Sequence, residues 1–270
     1  MQSDLSVLLL NYGQKRIYQE VGSGSSDYRS GSPRDSHADK SGADRTGGAR
    51  IRTATDSAAR RSGPKSAVVK RKPRRDGNTF LCLQEIEKQL QKHGLQAEIV
   101  QIGPKPIRMC INCGGCKKDG ATGCVFTDDP CAGIAEKMKE ADALIVGTPV
   151  YYGQPNGGIL SLMQRLFYSS GHLVQNKPAA AVAVCRRGGA TATLQTMNMM
   201  FEMMNMPVVS SQYWTIAYGA GKGEVTLDTE GMQTMRTLAT NMAWLLEKIH
   251  AGGYTAPQRN EKHVFMNFIR

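Results

Sequence analysis

From about residue 66 onward, short runs that are apolar at every position alternate with longer amphipathic stretches, the mark of β-α-β units. Thr79–His93 places Leu83, Ile86 and Leu90 on one helical face and stops at Gly94, after which Leu95–Gln101 reads as a strand. Asp129–Ala141 predicts a second helix before a buried strand at Ala143–Gly147, and Gln154–Ser170 a third before Ala179–Cys185. Thr191–Met206 predicts a fourth helix leading into a strand at Val208–Trp214, and Thr229–His250 a fifth. Runs such as ALIVG and AAAVAVC have no polar face, as expected of strands covered by helices on both sides. The pattern predicts a three-layer α/β domain with right-handed crossovers. Two runs compete for the first strand. VLLLNYG, Val7–Gly13, is the more apolar but requires a connection of about 60 residues, and such loops are uncommon. Ala67-Val68-Val69 lies just ahead of the first helix and is the expected choice.

Composition changes the picture upstream. Gly, Ser, Arg and Asp dominate Gly22–Ser62, with too little apolar surface to offset the entropy of ordering. Residues 1–66 therefore read as a disordered or anomalous basic segment, and a shifted reading frame or wrongly chosen start would account for it. Residues 67–270 read as the folded domain, with 251–270 as its tail. Residues 1–75 hold 16 Lys+Arg against 7 Asp+Glu, a balance of +9, whereas residues 76–270 hold 18 against 16, a balance of +2. A nucleic-acid-binding role would therefore rest on the basic amino-terminal segment, whose three tyrosines, Tyr12, Tyr18 and Tyr28, are too few to stack many bases. No apolar run approaches the roughly 20 residues of a membrane helix, and the protein reads as soluble and cytoplasmic.

In such sheets a ligand binds beyond the carboxyl ends of the strands, at the switch point of strand order. Three loops at that edge carry binding chemistry. In Pro73–Thr79, Gly77 permits an unusual turn and Asn78 and Thr79 offer polar groups at a helix start, where backbone N–H groups favour a phosphate. In Gly147–Gly153, Pro149 stiffens a turn that presents Val150 and two tyrosines, Tyr151 and Tyr152, to flank a flat ring. In Cys185–Gly189, Arg186 and Arg187 stand beside the pair Gly188 and Gly189.

Taken together, PRRDGNT, KPIRMCINCGGCKKDGATGCVFTDDP, GTPVYYGQPNGGILSLMQRLFYS and MPVVSSQYW resemble the flavodoxin-like NAD(P)H-dependent oxidoreductases, or NADPH-dependent FMN reductase-like proteins. The resemblance runs from about Pro73 to Arg270. It implies a flavodoxin-like three-layer sandwich with a five-stranded parallel sheet of order 2-1-3-4-5, holding FMN non-covalently. By resemblance Arg74, Gly77, Asn78 and Thr79 hold the FMN phosphate, Pro149–Gly153 the isoalloxazine, and Arg186–Gly189 the other ring edge. NADH or NADPH is the implied electron donor and a quinone, nitro compound or flavin the acceptor, with no dedicated protein nucleophile. A homo-oligomer is expected. The chain departs from the family where Lys70-Arg71-Lys72 replaces the usual glycine and serine before Pro73-Arg74.

Four of the seven cysteines, Cys110, Cys113, Cys116 and Cys124, crowd into one loop. Their spacing is that of iron–sulfur ligation and resembles the compact motif of iron–sulfur flavoproteins of the same superfamily, where a cluster of the 4Fe-4S type makes the protein an electron carrier. A zinc site fits less well, because the cysteines do not form two separated pairs. Flavin-only relatives carry similar loops, and flavin without a stoichiometric cluster is the expectation. The methionine stripe Met197–Met206 reads as core or dimer packing.

Overall fold

The structure, a computed structural model, describes residues 6–11, 77–103 and 105–251, with single positions at 257, 261 and 264. These residues belong to one of two units into which the chain divides, Met1–Ile17 with Arg71–Arg270; the other, Tyr18–Lys70, falls wholly outside them. The expectations for Gly22–Ser62, for a strand at Ala67–Val69 and for Pro73–Asp76, including Arg74, also lie outside the described residues.

Among the described residues, six strands form one sheet: β1 (Ser6–Asn11), β2 (Gln96–Gln101), β3 (Ala143–Tyr151), β4 (Gln154–Pro155), β5 (Ala179–Cys185) and β6 (Ile216–Tyr218). The order is β2-β1-β3-β5-β6, with β4 folded back on the end of β3. Leaving β4 aside, this is the expected flavodoxin-like order. Two expectations are corrected. The sheet is mixed, because β1 runs antiparallel to both β2 and β3, while β3, β5 and β6 are parallel. In addition, the first strand, Ser6–Asn11, is drawn from the segment read as disordered or anomalous.

The physical reason lies in the composition of Val7–Leu10. A strand with neighbours on both sides and helices on both faces needs apolar side chains at successive positions. Val7 and Leu9 enter one half of the core, Leu8 and Leu10 the other, and all four are buried. Either strand direction satisfies that requirement. The rule for crossovers fixes only the hand of connections between parallel strands, so it does not set the direction of β1.

Five helices among the described residues cover the sheet: α1 (Asn78–Lys92), α2 (Cys131–Glu140), α3 (Gly157–Ser170), α4 (Ala190–Met203) and α5 (Thr229–Ala251). Leu83, Ile86 and Leu90 of α1 share one core layer with Met235, Leu238 and Met242 of α5. The other layer joins Ile134 and Met138 of α2, Leu162 and Leu166 of α3, and Leu194, Met197 and Phe201 of α4. The alternation of strand residues between these layers follows the two-residue period of the pleat. Gly94, at φ 73°, stops α1 where the sequence predicts. The methionine stripe divides: Met197 and Met206 are buried, whereas Met199 and Met203 are exposed.

The strand expected at Val208–Trp214 is replaced by one bridge, Val208 to Ala179, and by β6 further on. The intervening polar residues bond to α5 instead. Ser211 Oγ donates to Thr234 O at 2.7 Å, and Asn241 Nδ2 donates to Ser210 O at 2.9 Å.

Candidate functional site

The carboxyl ends of β3, β5 and β6 meet the start of α1 around an open cleft of about 380 Å³. Gly77, Asn78 and Thr79 line it from α1, Pro149, Val150 and Tyr151 from β3, and Val184, Cys185 and Arg186 from β5. Three loops read separately in the sequence thus border one space.

Not every residue read as a site residue borders this space. Gly77 is in ordinary extended conformation, φ −78° and ψ 156°, and serves as the N-cap of α1, so no unusual turn is needed there. Tyr152 stands at the tip of the two-residue turn between β3 and β4, fully exposed and at φ 51°. Neither it nor Gly153 borders the cleft, and the same holds for Arg187, Gly188 and Gly189. Gly189 supports the cleft from behind. It has φ +88°, and a Cβ there would lie 2.5 Å from the Cα of Gly153, so the β5 loop and the β3–β4 turn touch backbone to backbone.

A fourth wall, Gly219–Lys222, was not anticipated. The available signal is the run YGAGKG after a short apolar strand, which binding loops share with ordinary turns. This wall is braced twice. Asn78 Nδ2 donates to Gly221 O at 2.8 Å, and Asn78 Oδ1 accepts from the Val225 N–H at 3.3 Å. Glu224 accepts from the N–H groups of Gly221 at 2.5 Å and Ala220 at 2.7 Å, and these bonds hold its carboxyl below the usual carboxylate range. Asn78 therefore spends both ends of its amide on the loop. Losing two bonds of about 0.5–1.5 kcal/mol each, Asn78→Ala should lower stability by about 1–3 kcal/mol in ligand-free denaturant unfolding. Unchanged unfolding would show that the brace carries no load.

Thr79 is buried, its methyl against Gly147, which presses the start of α1 onto β3. Thr148 Oγ1 accepts from the Asn156 N–H at 3.0 Å, and Asn156 Oδ1 caps α3 by accepting from the Gly158 N–H at 2.8 Å. The Pro149–Tyr151 wall is thereby fixed at both ends. Arg186 and Lys222 bring positive charge to the cleft, which suits an anionic ligand.

The second constellation lies on the loop before α2. Cys110, Cys113, Cys116 and Cys124 all line one small pocket, together with Arg165, Tyr168 and Ser169 of α3. Among the described residues, no three His, Cys, Asp or Glu side chains are already drawn to metal-ligand spacing. The other three cysteines differ in kind, since all are buried. Burial pushes the Cys131 thiol up to about 11 and also raises those of Cys82 and Cys185.

Comparison with known proteins bears on both constellations. The family model of the NADPH-dependent FMN reductases matches residues 65–221. The chain belongs to that family. An iron–sulfur flavoprotein of Methanocaldococcus jannaschii is 35% identical over 185 residues, covering 66% of this chain and 94% of the relative. An iron–sulfur flavoprotein of Methanosarcina thermophila is 31% identical over 165 residues, covering 59% and 83%. Among solved structures, RosB with a bound flavin-derived intermediate aligns with a TM-score of 0.53 at 16% identity, over 74% of this chain and 88% of RosB; this likeness concerns the fold alone.

The residues present fit an FMN reductase's cofactor. The cleft offers backbone polar groups at a helix start, two cations, and walls from β3 and β5 held by a glycine contact. A cluster also fits the donor set of the second pocket, where four thiols share one space. No helix among the described residues is long and apolar enough to cross a membrane.

Proposed function

We propose that this protein is an FMN-dependent oxidoreductase with NADH or NADPH as donor and a small molecule as acceptor, and that its cysteine loop carries an iron–sulfur cluster. The observation that carries the reading is the meeting of four loops around one cleft at the carboxyl edge of the parallel strands, where ligands of such sheets bind. FMN, when bound, supplies hydride and one-electron chemistry.

The protein's own residues bind and orient. The start of α1 at Gly77–Thr79 suits the phosphate, with Arg186 and Lys222 adding positive charge. Pro149–Tyr151 suits the ring system, with Tyr151 as its aromatic neighbour. Cys110, Cys113, Cys116 and Cys124 would hold the cluster. Their shared pocket supports that assignment, as do relatives named iron–sulfur flavoproteins.

A flavin-only enzyme is the second reading. It is favoured by the fact that, among the described residues, no three of these thiols are already drawn to metal-ligand spacing. One anaerobic purification separates the two. We expect two visible flavin bands that bleach with NADH or NADPH, together with a broad shoulder and near-stoichiometric iron and acid-labile sulfide. Cys113→Ser should lose iron and sulfide while keeping flavin. Flavin without iron would select the flavin-only enzyme, and a colourless chain that takes up no FMN would defeat both readings.

A further inference from the structure

We propose that Arg165 is the positioning residue of the cysteine loop, fixing the loop from α3 and holding an N–H donor on the sulfur of Cys124, so that it tunes a cluster bound there. The inference rests on the cluster reading above and adds to it a residue with no thiol.

Arg165 lies in α3 with its side chain 0% exposed. A buried guanidinium is costly unless its donors are satisfied and its charge is paired, and here a single stretch of chain supplies the partners. Its Nε–H donates to Cys124 Sγ at 3.2 Å, one terminal nitrogen donates to Phe126 O at 3.0 Å, and the other donates to Arg108 O at 3.4 Å and to the Asp129 carboxylate. Asp129 is equally buried, its side chain 2% exposed. It also accepts from the Cys131 N–H at 3.1 Å at the head of α2.

Between Arg108 and Asp129 the only helical piece is the short turn Gly115–Lys117. The loop therefore has little structure of its own, and one side chain gathers four residues of it, Arg108, Cys124, Phe126 and Asp129, onto α3. Tyr168, one turn along the same helix, adds a fifth, donating its hydroxyl to Asn112 Oδ1 at 3.2 Å. An N–H donor on a ligating sulfur withdraws electron density and favours the more negative, reduced cluster, and hydrogen bonds to the sulfurs help set cluster potentials. A lysine cannot replace the planar fork, because one ammonium on a flexible stem cannot meet partners spread around it.

The test uses the full chain with two variants. Arg165→Lys keeps a charge against Asp129 but loses the fork. Arg165→Gln combined with Asp129→Asn removes both charges, so that no lone buried carboxylate remains to unfold the loop. We expect hydrogen exchange of the amides at 108–129 to rise about tenfold in both. After anaerobic reconstitution, cluster reduction should become harder by about tenfold in equilibrium, 59 mV for one electron, with flavin content unchanged. Wild-type loop protection and wild-type potential in both variants would overturn the assignment. A wild-type chain that holds neither iron nor sulfide would instead overturn the cluster reading, and the exchange of the loop would still decide whether Arg165 positions it.

Discussion

Deleting residues 1–11 should abolish the cooperative unfolding of the domain. The deletion removes β1, which lies between β2 and β3 and hydrogen-bonds to both. Val7, Leu8, Leu9 and Leu10 are each at most 5% exposed. Burial of a large aliphatic side chain contributes about 1.5–3 kcal/mol, so the four together contribute about 6–12 kcal/mol. That is comparable to the entire stability of an ordinary domain, about 5–15 kcal/mol. The loss does not stop at the strand, because the edges of β2 and β3 would be left unpaired between two helix layers. The expected result is an aggregating product with no thermal transition. Leu8→Asp checks the same point without shortening the chain, since it places a carboxylate where Leu8 is 0% exposed. A truncated chain that melts like the full one would show that another segment fills this place in the sheet.

The sequence offered two measures for this strand, apolar character and loop length, and loop length misleads. Loop-length expectations describe connections within a compact domain. Here more than 60 residues separate Asn11 from Gly77, far beyond the lengths those expectations cover. The apolar run itself was the better guide, because a strand enclosed on all sides is recognised by four large aliphatics in a row, which Ala67-Val68-Val69 lacks.

The strands Ala143–Gly147 and Ala179–Cys185 were legible for that same reason, as were the five helices, whose apolar residues recur at helical spacing. β6 was harder. PVVSSQYW has strand-like residues, but Ser210, Ser211 and Gln212 find partners on α5, 23 to 31 residues away for the bonds of Ser211 and Ser210.

The candidate site divides in a similar way. Contacts made by residues close in sequence could be read directly: the start of α1, the wall after β3 and the four cysteines each show as a local motif. Contacts made across the fold could not. Asn78 meets Gly221 over 143 positions, and Arg165 meets Arg108 over 57. An arginine in LMQRLFYS reads as the polar face of a helix, and nothing near it announces that a loop far upstream will surround it.

Gly189→Ala should disrupt the cleft although Gly189 is not itself one of the residues that line it. The position requires φ +88°, where a side chain is strained, and the new Cβ would stand 2.5 Å from the Cα of Gly153 and 3.2 Å from Val150 Cγ1. Left-handed strain costs about 1–3 kcal/mol, and forcing atoms into a packed contact costs about as much again. The chain can relieve the clash only by parting the β5 loop from the β3–β4 turn. That motion carries Cys185 and Arg186 away from Pro149–Tyr151, the two walls proposed to flank the flavin ring. We expect the apoprotein to lose about 2–6 kcal/mol of stability and FMN affinity to fall at least tenfold, the equivalent of about 1.4 kcal/mol. Gly188→Ala is the control, since its added Cβ meets nothing within 4 Å, and it should unfold like the wild type. If Gly189→Ala binds FMN as tightly as the wild type, the backbone contact between the two walls does not shape the flavin site, and the ring must be held by one wall alone.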